Sequence, residues 1–84
     1  MNGNLRLMVR NRQGIVLDEQ ILALSSGNKI GKFDVLLNHA NFISIVNQTL
    51  VIKGVNGESR QLQIDNGILK VRENRVEVYI GVKK

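Results

Sequence analysis

The chain contains no cysteine, no proline and no tryptophan, and it has a single histidine among its 84 residues. Without cysteine there is neither a disulfide framework nor a thiolate metal site. One histidine and a few scattered carboxylates do not supply the ligand set of a zinc centre. The longest unbroken apolar run, Ile21–Leu24, is far shorter than the roughly 20 residues that a membrane-spanning helix needs. These absences exclude a disulfide-rich domain, a zinc module and a helical membrane anchor.

Alanine is scarce, whereas valine and isoleucine together contribute 19 residues. β-branched side chains favour the pleated strand and lose rotamer freedom in a helix. Apolar and polar residues alternate through 5–10, 61–64 and 75–80, a pattern typical of half-buried strands. We therefore predict one all-β domain over residues 1–84, a small flattened sandwich or barrel of about ten short strands. The one segment predicted to form a helical turn is Leu36–Ala40.

Turn residues separate the predicted strands at short intervals. Asn56-Gly57 lies between two apolar segments and favours a type I′ hairpin turn, and Arg72–Asn74 predicts another turn. Three segments are apolar on both faces: Ile15–Leu17, Ile21–Leu24 and Leu50–Ile52. Such segments suit strands that are buried on two sides, or strands whose outer face contacts a partner.

No catalytic or cofactor-binding motif stands out. His39 lies near Asp34 and Ser44 in the sequence, but these residue types recur by chance and alternation along strands does not aim them together. Gly27–Phe33 resembles a phosphate loop only superficially, because its glycines are too close together and Phe33 replaces the required hydroxyl. We predict a protein that is not an enzyme and that binds no cofactor or metal.

The charge balance is basic, with 12 Lys and Arg against 7 Asp and Glu, a formal net charge of +5. Such a charge suggests nucleic acid as a partner. However, the acids are interspersed among the bases along the whole chain, and the aromatic residues available for stacking are Phe33, Phe42 and Tyr79. A solvated surface with a basic bias explains the composition equally well, so a basic nucleic-acid-binding module is kept as an alternative.

Four segments, in order, resemble the N-terminal domain of the epsilon subunit of F-type ATP synthase. They are Gly31–Ala40, which contains Asn-His-Ala, Phe42–Val46, Asp65–Val71 and Asn74–Tyr79. The chain departs from the family pattern at Leu37 and Asn41, where proline is usual, so this loop loses the rigidity that proline confers. It also ends at Lys84, where the family continues into a C-terminal helical hairpin, so the regulation and ATP binding of that hairpin are not carried over.

The resemblance implies a flattened sandwich at the foot of the central stalk, at the cytoplasmic face of the membrane and without inserting into it. It implies a non-catalytic rotor subunit with two partners, the gamma subunit and the c-ring, and no nucleic acid. A loop that meets the polar turns of the ring should carry complementary charge. The predicted c-ring contacts are Lys29, Gly31, Lys32, Asn38, His39 and Ala40. The main alternative is a stand-alone interaction module derived from this domain.

Overall fold

Eight β-strands follow one another in the computed structural model, which describes residues 4–38, 40–47, 49–64 and 66–81. The strands are β1 (Leu5–Asn11), β2 (Gly14–Gly27), β3 (Lys32–Val35), β4 (Phe42–Val46), β5 (Leu50–Gly54), β6 (Ser59–Leu62), β7 (Gly67–Arg72) and β8 (Arg75–Ile80). The described residues contain no helix, and therefore none long and apolar enough to cross a membrane. The prediction of an all-β chain is confirmed.

The strands form one mixed sheet in the order β4-β7-β8-β1-β2-β5-β6, with β3 paired to β2. β1 pairs with β8 in parallel, and the other pairs are antiparallel. β2 joins two halves of the sheet, because its first part pairs with β1 and its last part pairs with β3 and β5. β2 runs through both apolar segments Ile15–Leu17 and Ile21–Leu24, with an irregularity in its pairing to β5 between Ile21 and Ala23. The described residues accordingly hold eight strands instead of about ten.

The sheet folds over a single hydrophobic core. Val46 of β4 and Leu62 of β6, from the two ends of the strand order, contact the same cluster of buried side chains. Leu5, Leu7 and Val9 of β1 are fully buried, as their alternation with polar residues predicts. Each such side chain contributes roughly 1.5–3 kcal/mol by leaving water.

The predicted turn at Arg72–Asn74 is confirmed, whereas the type I′ turn predicted at Asn56-Gly57 is wrong in detail. Val55–Gly57 is a three-residue loop, closed by a 2.8 Å bond from Gly54 N to Glu58 O, in which Gly57 has φ 88°. The two-residue loop with positive φ at both positions is Glu73-Asn74, with φ 51° and 65°. In a two-residue hairpin loop, positive φ at both positions matches the twist of the flanking strands. The loop that contains Asn56-Gly57 has three residues, so it does not require that conformation.

The predicted helical turn at Leu36–Ala40 is also wrong. Leu37 and Asn38 form a turn in which Asn38 has φ 65°, a left-handed conformation that cannot propagate a right-handed helix. Asn38 adopts it because asparagine tolerates the left-handed region better than most residues.

Candidate functional site

The turn between β2 and β3 is organised by the side chain and backbone of Asn28. Asn28 Oδ1 accepts hydrogen bonds from the backbone N–H groups of Ile30 and Gly31 at 2.9 and 3.2 Å. Asn28 N donates to Gly31 O at 3.0 Å, and Asn28 Nδ2 donates to Ser44 Oγ at 2.8 Å. Gly31 has φ 154°, within the range that favours glycine. These bonds fix the turn to β4. We call residues 28–32 the lysine turn.

The lysine turn exposes an apolar residue between two cations. Ile30 is 96% exposed, and Lys29 and Lys32 beside it are also exposed. Single exposed apolar side chains are common on protein surfaces. An isoleucine held outward by a hydrogen-bonded turn between two lysines is nevertheless a well-defined shape for a partner to bind.

The connection between β3 and β4, residues 36–41, is tied to the β7–β8 hairpin, and we call it the asparagine loop. Asn38 N donates to Asn74 Oδ1 at 2.6 Å, and Asn74 Nδ2 reaches Asn38 Oδ1 at 3.4 Å. Glu73 N donates to Asn41 Oδ1 at 3.2 Å. Side chains of asparagine therefore tie this loop to the hairpin, although the loop contains no proline.

The asparagine loop leads into one end of β4, whereas the lysine turn extends from near the other end to the middle of the strand, where Asn28 bonds Ser44. At one end Asn41 is bonded to Glu73, and at the other Asn47 N donates to Gly27 O at 3.2 Å. Six residue steps of extended chain separate Asn41 from Asn47, roughly 20 Å. Of the residues predicted from sequence to contact the c-ring, Lys29, Gly31 and Lys32 lie on the lysine turn. Asn38 and Ala40 lie in the asparagine loop, and His39 is outside the described residues.

The residues considered for catalysis have separate structural partners. Ser44 Oγ accepts from Asn28 and donates to Ile45 O at 3.1 Å, whereas Asp34 accepts a 2.6 Å hydrogen bond from Ser25 Oγ. Within the described ranges, no group of three or more Asp, Glu, His or Cys side chains is placed to hold a metal ion. The hydrogen bonds of Ser44 and Asp34 therefore hold strands and turns of the sheet together.

A third region was not identified from the sequence. The outward side chains of β4, β7, β8 and β1 form one continuous surface, which we call the outer face. On it, Ile43 and Ile45 are 68% and 69% exposed. The sequence signal was the alternation of these isoleucines with Ser44, whose side chain points inward beside Leu69. That alternation shows that the two isoleucines lie on one face of the strand, but it does not show which other side chains lie beside them.

The electrostatics of the outer face are dominated by arginine. Arg6 Nε and Nη2 donate to the two carboxylate oxygens of Asp18 at 2.7 and 3.1 Å. This hydrogen bonding lowers the pKa of the Asp18 carboxyl and raises the pKa of Arg6. The guanidinium of Arg10 lies 5.6 Å from the centre of the Tyr79 ring. The first arrangement is a fork-shaped contact that lysine does not reproduce, and the second places a cation near an aromatic ring.

Among the solved structures that share this fold are chains of two mitochondrial ATP synthases. A chain of the Euglena gracilis mitochondrial ATP synthase (OSCP/F1/c-ring) matches with a TM-score of 0.88 and 18% identity, covering 95% of this chain and 52% of that one. A chain of the Tetrahymena thermophila mitochondrial ATP synthase (central stalk/c-ring) matches with a TM-score of 0.75 and 12% identity, covering 90% and 62%. At these identities the likeness establishes the fold.

Sequence relatives and a family model identify the family of this chain. ATP synthase epsilon chains from three strains of Clostridium perfringens are each 26% identical over 72 residues, covering 84% of this chain. The chain spans about half the length of these curated relatives, since the match covers 54% of each. A family model for the ATP synthase delta/epsilon chain beta-sandwich domain matches residues 4–81. Because that match takes in nearly the whole chain, the protein belongs to the ATP synthase delta/epsilon family, whose members are non-catalytic subunits of the synthase.

Proposed function

We propose that this chain is a rotor element of an F-type ATP synthase, which couples the gamma subunit to the c-ring during ion-driven ATP synthesis. It works at the membrane surface as part of the assembled complex, with residues 1–84 acting as one rigid domain. Family membership supports this role. The observation that carries it is that a body of only 40 × 28 × 22 Å offers two different surfaces, the lysine turn with its exposed Ile30 and the outer face with its exposed Ile43 and Ile45.

A coupler must resist shear between its two partners. The asparagine loop is pinned to the β7–β8 hairpin by Asn74, and the lysine turn is pinned to β4 by Asn28. Connections that are hydrogen-bonded to neighbouring strands move less than free loops, because their backbone polar groups are already satisfied. Torque applied at one end is then transmitted through the sheet instead of being absorbed by a hinge.

Lys29, Gly31 and Lys32 are proposed to contact the polar loops of the c-ring. The two lysines supply the charge and Gly31 supplies the turn conformation. Asn38 and Ala40 of the asparagine loop are proposed to share this contact, together with His39, which is outside the described residues. The two lysines of the lysine turn are the contacts that the experiment below tests.

The test is binding of the chain to an isolated gamma–c-ring assembly at low salt. Lys29→Glu with Lys32→Glu should weaken binding about tenfold, because each exposed charge pair contributes at most about 1 kcal/mol. The control variant is Arg12→Glu with Lys53→Glu, two exposed residues away from the turn that change the net charge equally. The difference should diminish as added salt screens the charges.

The two variants separate the possible outcomes. Equal weakening by both would mean that overall charge, rather than the lysine turn, governs binding. If the parent chain shows no binding to the assembly, the rotor role itself is wrong and the stand-alone interaction module becomes the better account.

A further inference from the structure

Met8, the middle residue of β1, has a charged partner at its sulfur atom. Its side chain is half-buried on the outer face, and its cross-strand partners are Asp18 of β2 and Glu77 of β8. Arg10 Nη2 donates a hydrogen bond to Met8 Sδ at 3.1 Å, and the same guanidinium lies 5.6 Å from the centre of the Tyr79 ring. One guanidinium therefore contacts both a thioether and an aromatic ring.

The thioether of Met8 is accessible to a small oxidant. A surface groove of about 110 Å³ opens beside it and is lined also by Arg6, Arg75 and Glu77. A cavity needs only roughly 10–15 Å³ to hold one water molecule, so this groove admits a molecule of the size of hydrogen peroxide. The sulfur has two lone pairs, and the hydrogen bond from Arg10 engages one of them. The second lone pair is left to react.

Arg10 is a better partner for methionine sulfoxide than for the thioether. A thioether sulfur is a weak hydrogen-bond acceptor. A sulfoxide oxygen carries partial negative charge, and a hydrogen bond to such an oxygen from a charged donor is stronger. The carboxylates of Asp18 and Glu77 accept hydrogen bonds and donate none, and Arg6 is held by Asp18. Arg10 is thus the donor already in place.

We propose that Met8 is a reversible oxidation site, whose sulfoxide oxygen binds Arg10 and draws the guanidinium away from Tyr79. The oxidant is a hydroperoxide such as hydrogen peroxide. The Sδ lone pair attacks one peroxide oxygen, the O–O bond breaks and hydroxide leaves. Hydroxide then takes the proton of the sulfur-bound oxygen, so sulfur loses two electrons, the peroxide is reduced and water forms. A sulfoxide reductase reverses the step, because two thiols become a disulfide and the oxygen leaves as water.

The oxidised side chain stays at the surface of the domain. Leu7 and Val9, on either side of Met8 in β1, are fully buried, whereas Met8 points to the opposite face. Oxidation turns a flexible apolar side chain into a polar one, a change that disrupts a core but can be accommodated beside solvent. The redox state of Met8 therefore changes the polarity of the outer face without unfolding the sheet. Each step involves only this chain and peroxide, so the proposal does not depend on the rotor role.

The test treats the full chain with hydrogen peroxide and locates sulfoxide by mass spectrometry of its peptides. Tyr79 is the one tyrosine and the chain has no tryptophan, so tyrosine ring signals in NMR report on this residue alone. We expect Met8 sulfoxide to form, the Tyr79 ring signals to shift and Tm to fall by at most about 5 °C. Treatment with methionine sulfoxide reductase should restore the original signals.

Two variants identify the groups responsible. Met8→Leu keeps an apolar side chain that peroxide does not oxidise, so the Tyr79 shift should be lost although Met1 remains. Arg10→Gln removes the guanidinium, so Met8 should still be oxidised while the peroxide-induced shift at Tyr79 becomes several-fold smaller.

Four results would overturn the proposal. They are a Met8 that stays reduced under conditions that oxidise free methionine, a Met8 sulfoxide that leaves the Tyr79 signals unchanged, an equal shift in Arg10→Gln and the parent, and unfolding of the chain on oxidation.

Discussion

Gly67 is the position where the structure predicts the sharpest effect of adding one methyl group. It pairs with Val46 on one side and with Ile80 on the other, so β7 is enclosed by strands there. A Cβ built on Gly67 would lie 2.6 Å from the backbone oxygen of Tyr79, well inside the ordinary contact distance of 3.4 Å. Because that oxygen belongs to the backbone of β8, it has no side-chain rotation by which to move away.

The Gly67→Ala substitution must therefore push β8 away from β7. Separating the strands weakens about one or two backbone hydrogen bonds, each worth roughly 0.5–1.5 kcal/mol. Overpacking adds about 1 kcal/mol or more, whereas replacing glycine recovers roughly 0.5–1 kcal/mol of chain entropy. We expect a net loss of about 1–3 kcal/mol in the free energy of unfolding. For a domain of this size that lowers Tm by roughly 5–20 °C.

Gly54→Ala is the matched control. Its added Cβ would also meet an atom too closely, but that atom is the carboxylate of Glu58, at the end of an exposed and flexible side chain. We expect Gly54→Ala to change stability by at most about 0.5 kcal/mol. Thermal and urea unfolding, followed by circular dichroism, compare the two. If Gly67→Ala is as stable as Gly54→Ala, the close approach of β7 and β8 does not constrain this position.

Two further predictions concern the ion pair and the asparagine loop. The pKa of Asp18 is lowered by its hydrogen bonds to Arg6, so the pair's contribution to stability is present above the carboxyl's ordinary pKa and is lost as pH falls through the lowered value. Arg6→Gln should raise the Asp18 titration midpoint measured by NMR, and an unchanged midpoint would show that the pair does not form in solution. Asn74→Gly keeps the backbone freedom needed at φ 65° but removes the acceptor of the Asn38 N–H, so amide exchange at Asn38 should accelerate several-fold. Asn74→Ala should lose roughly a further 1 kcal/mol because alanine is strained in the left-handed region. Equal stability of the two Asn74 variants would contradict this account of the turn.

The sequence was sufficient for the class of fold. Leu5, Leu7 and Val9 alternate with Arg6 and Met8, and this alternation indicates which side chains are buried. The period of two depends only on the local geometry of a strand. The turn at Arg72–Asn74 could also be predicted from local sequence, since polar residues interrupt two apolar segments there. The motifs from Gly31 to Tyr79 indicated the family, and the match over residues 4–81 confirms it.

The candidate site was only partly predictable, because proximity along the chain did not mean proximity in space. Lys32 and Asn38 are close in sequence, yet Lys32 begins β3 and Asn38 lies beyond the other end of that strand. Arg6 and Arg75, in contrast, are far apart in sequence and become neighbours through the parallel pairing of β1 with β8. Which strands pair, and in which register, depends on how the whole core packs. Local alternation therefore determined which side chains face outward, and only the tertiary structure decided which of them stand together.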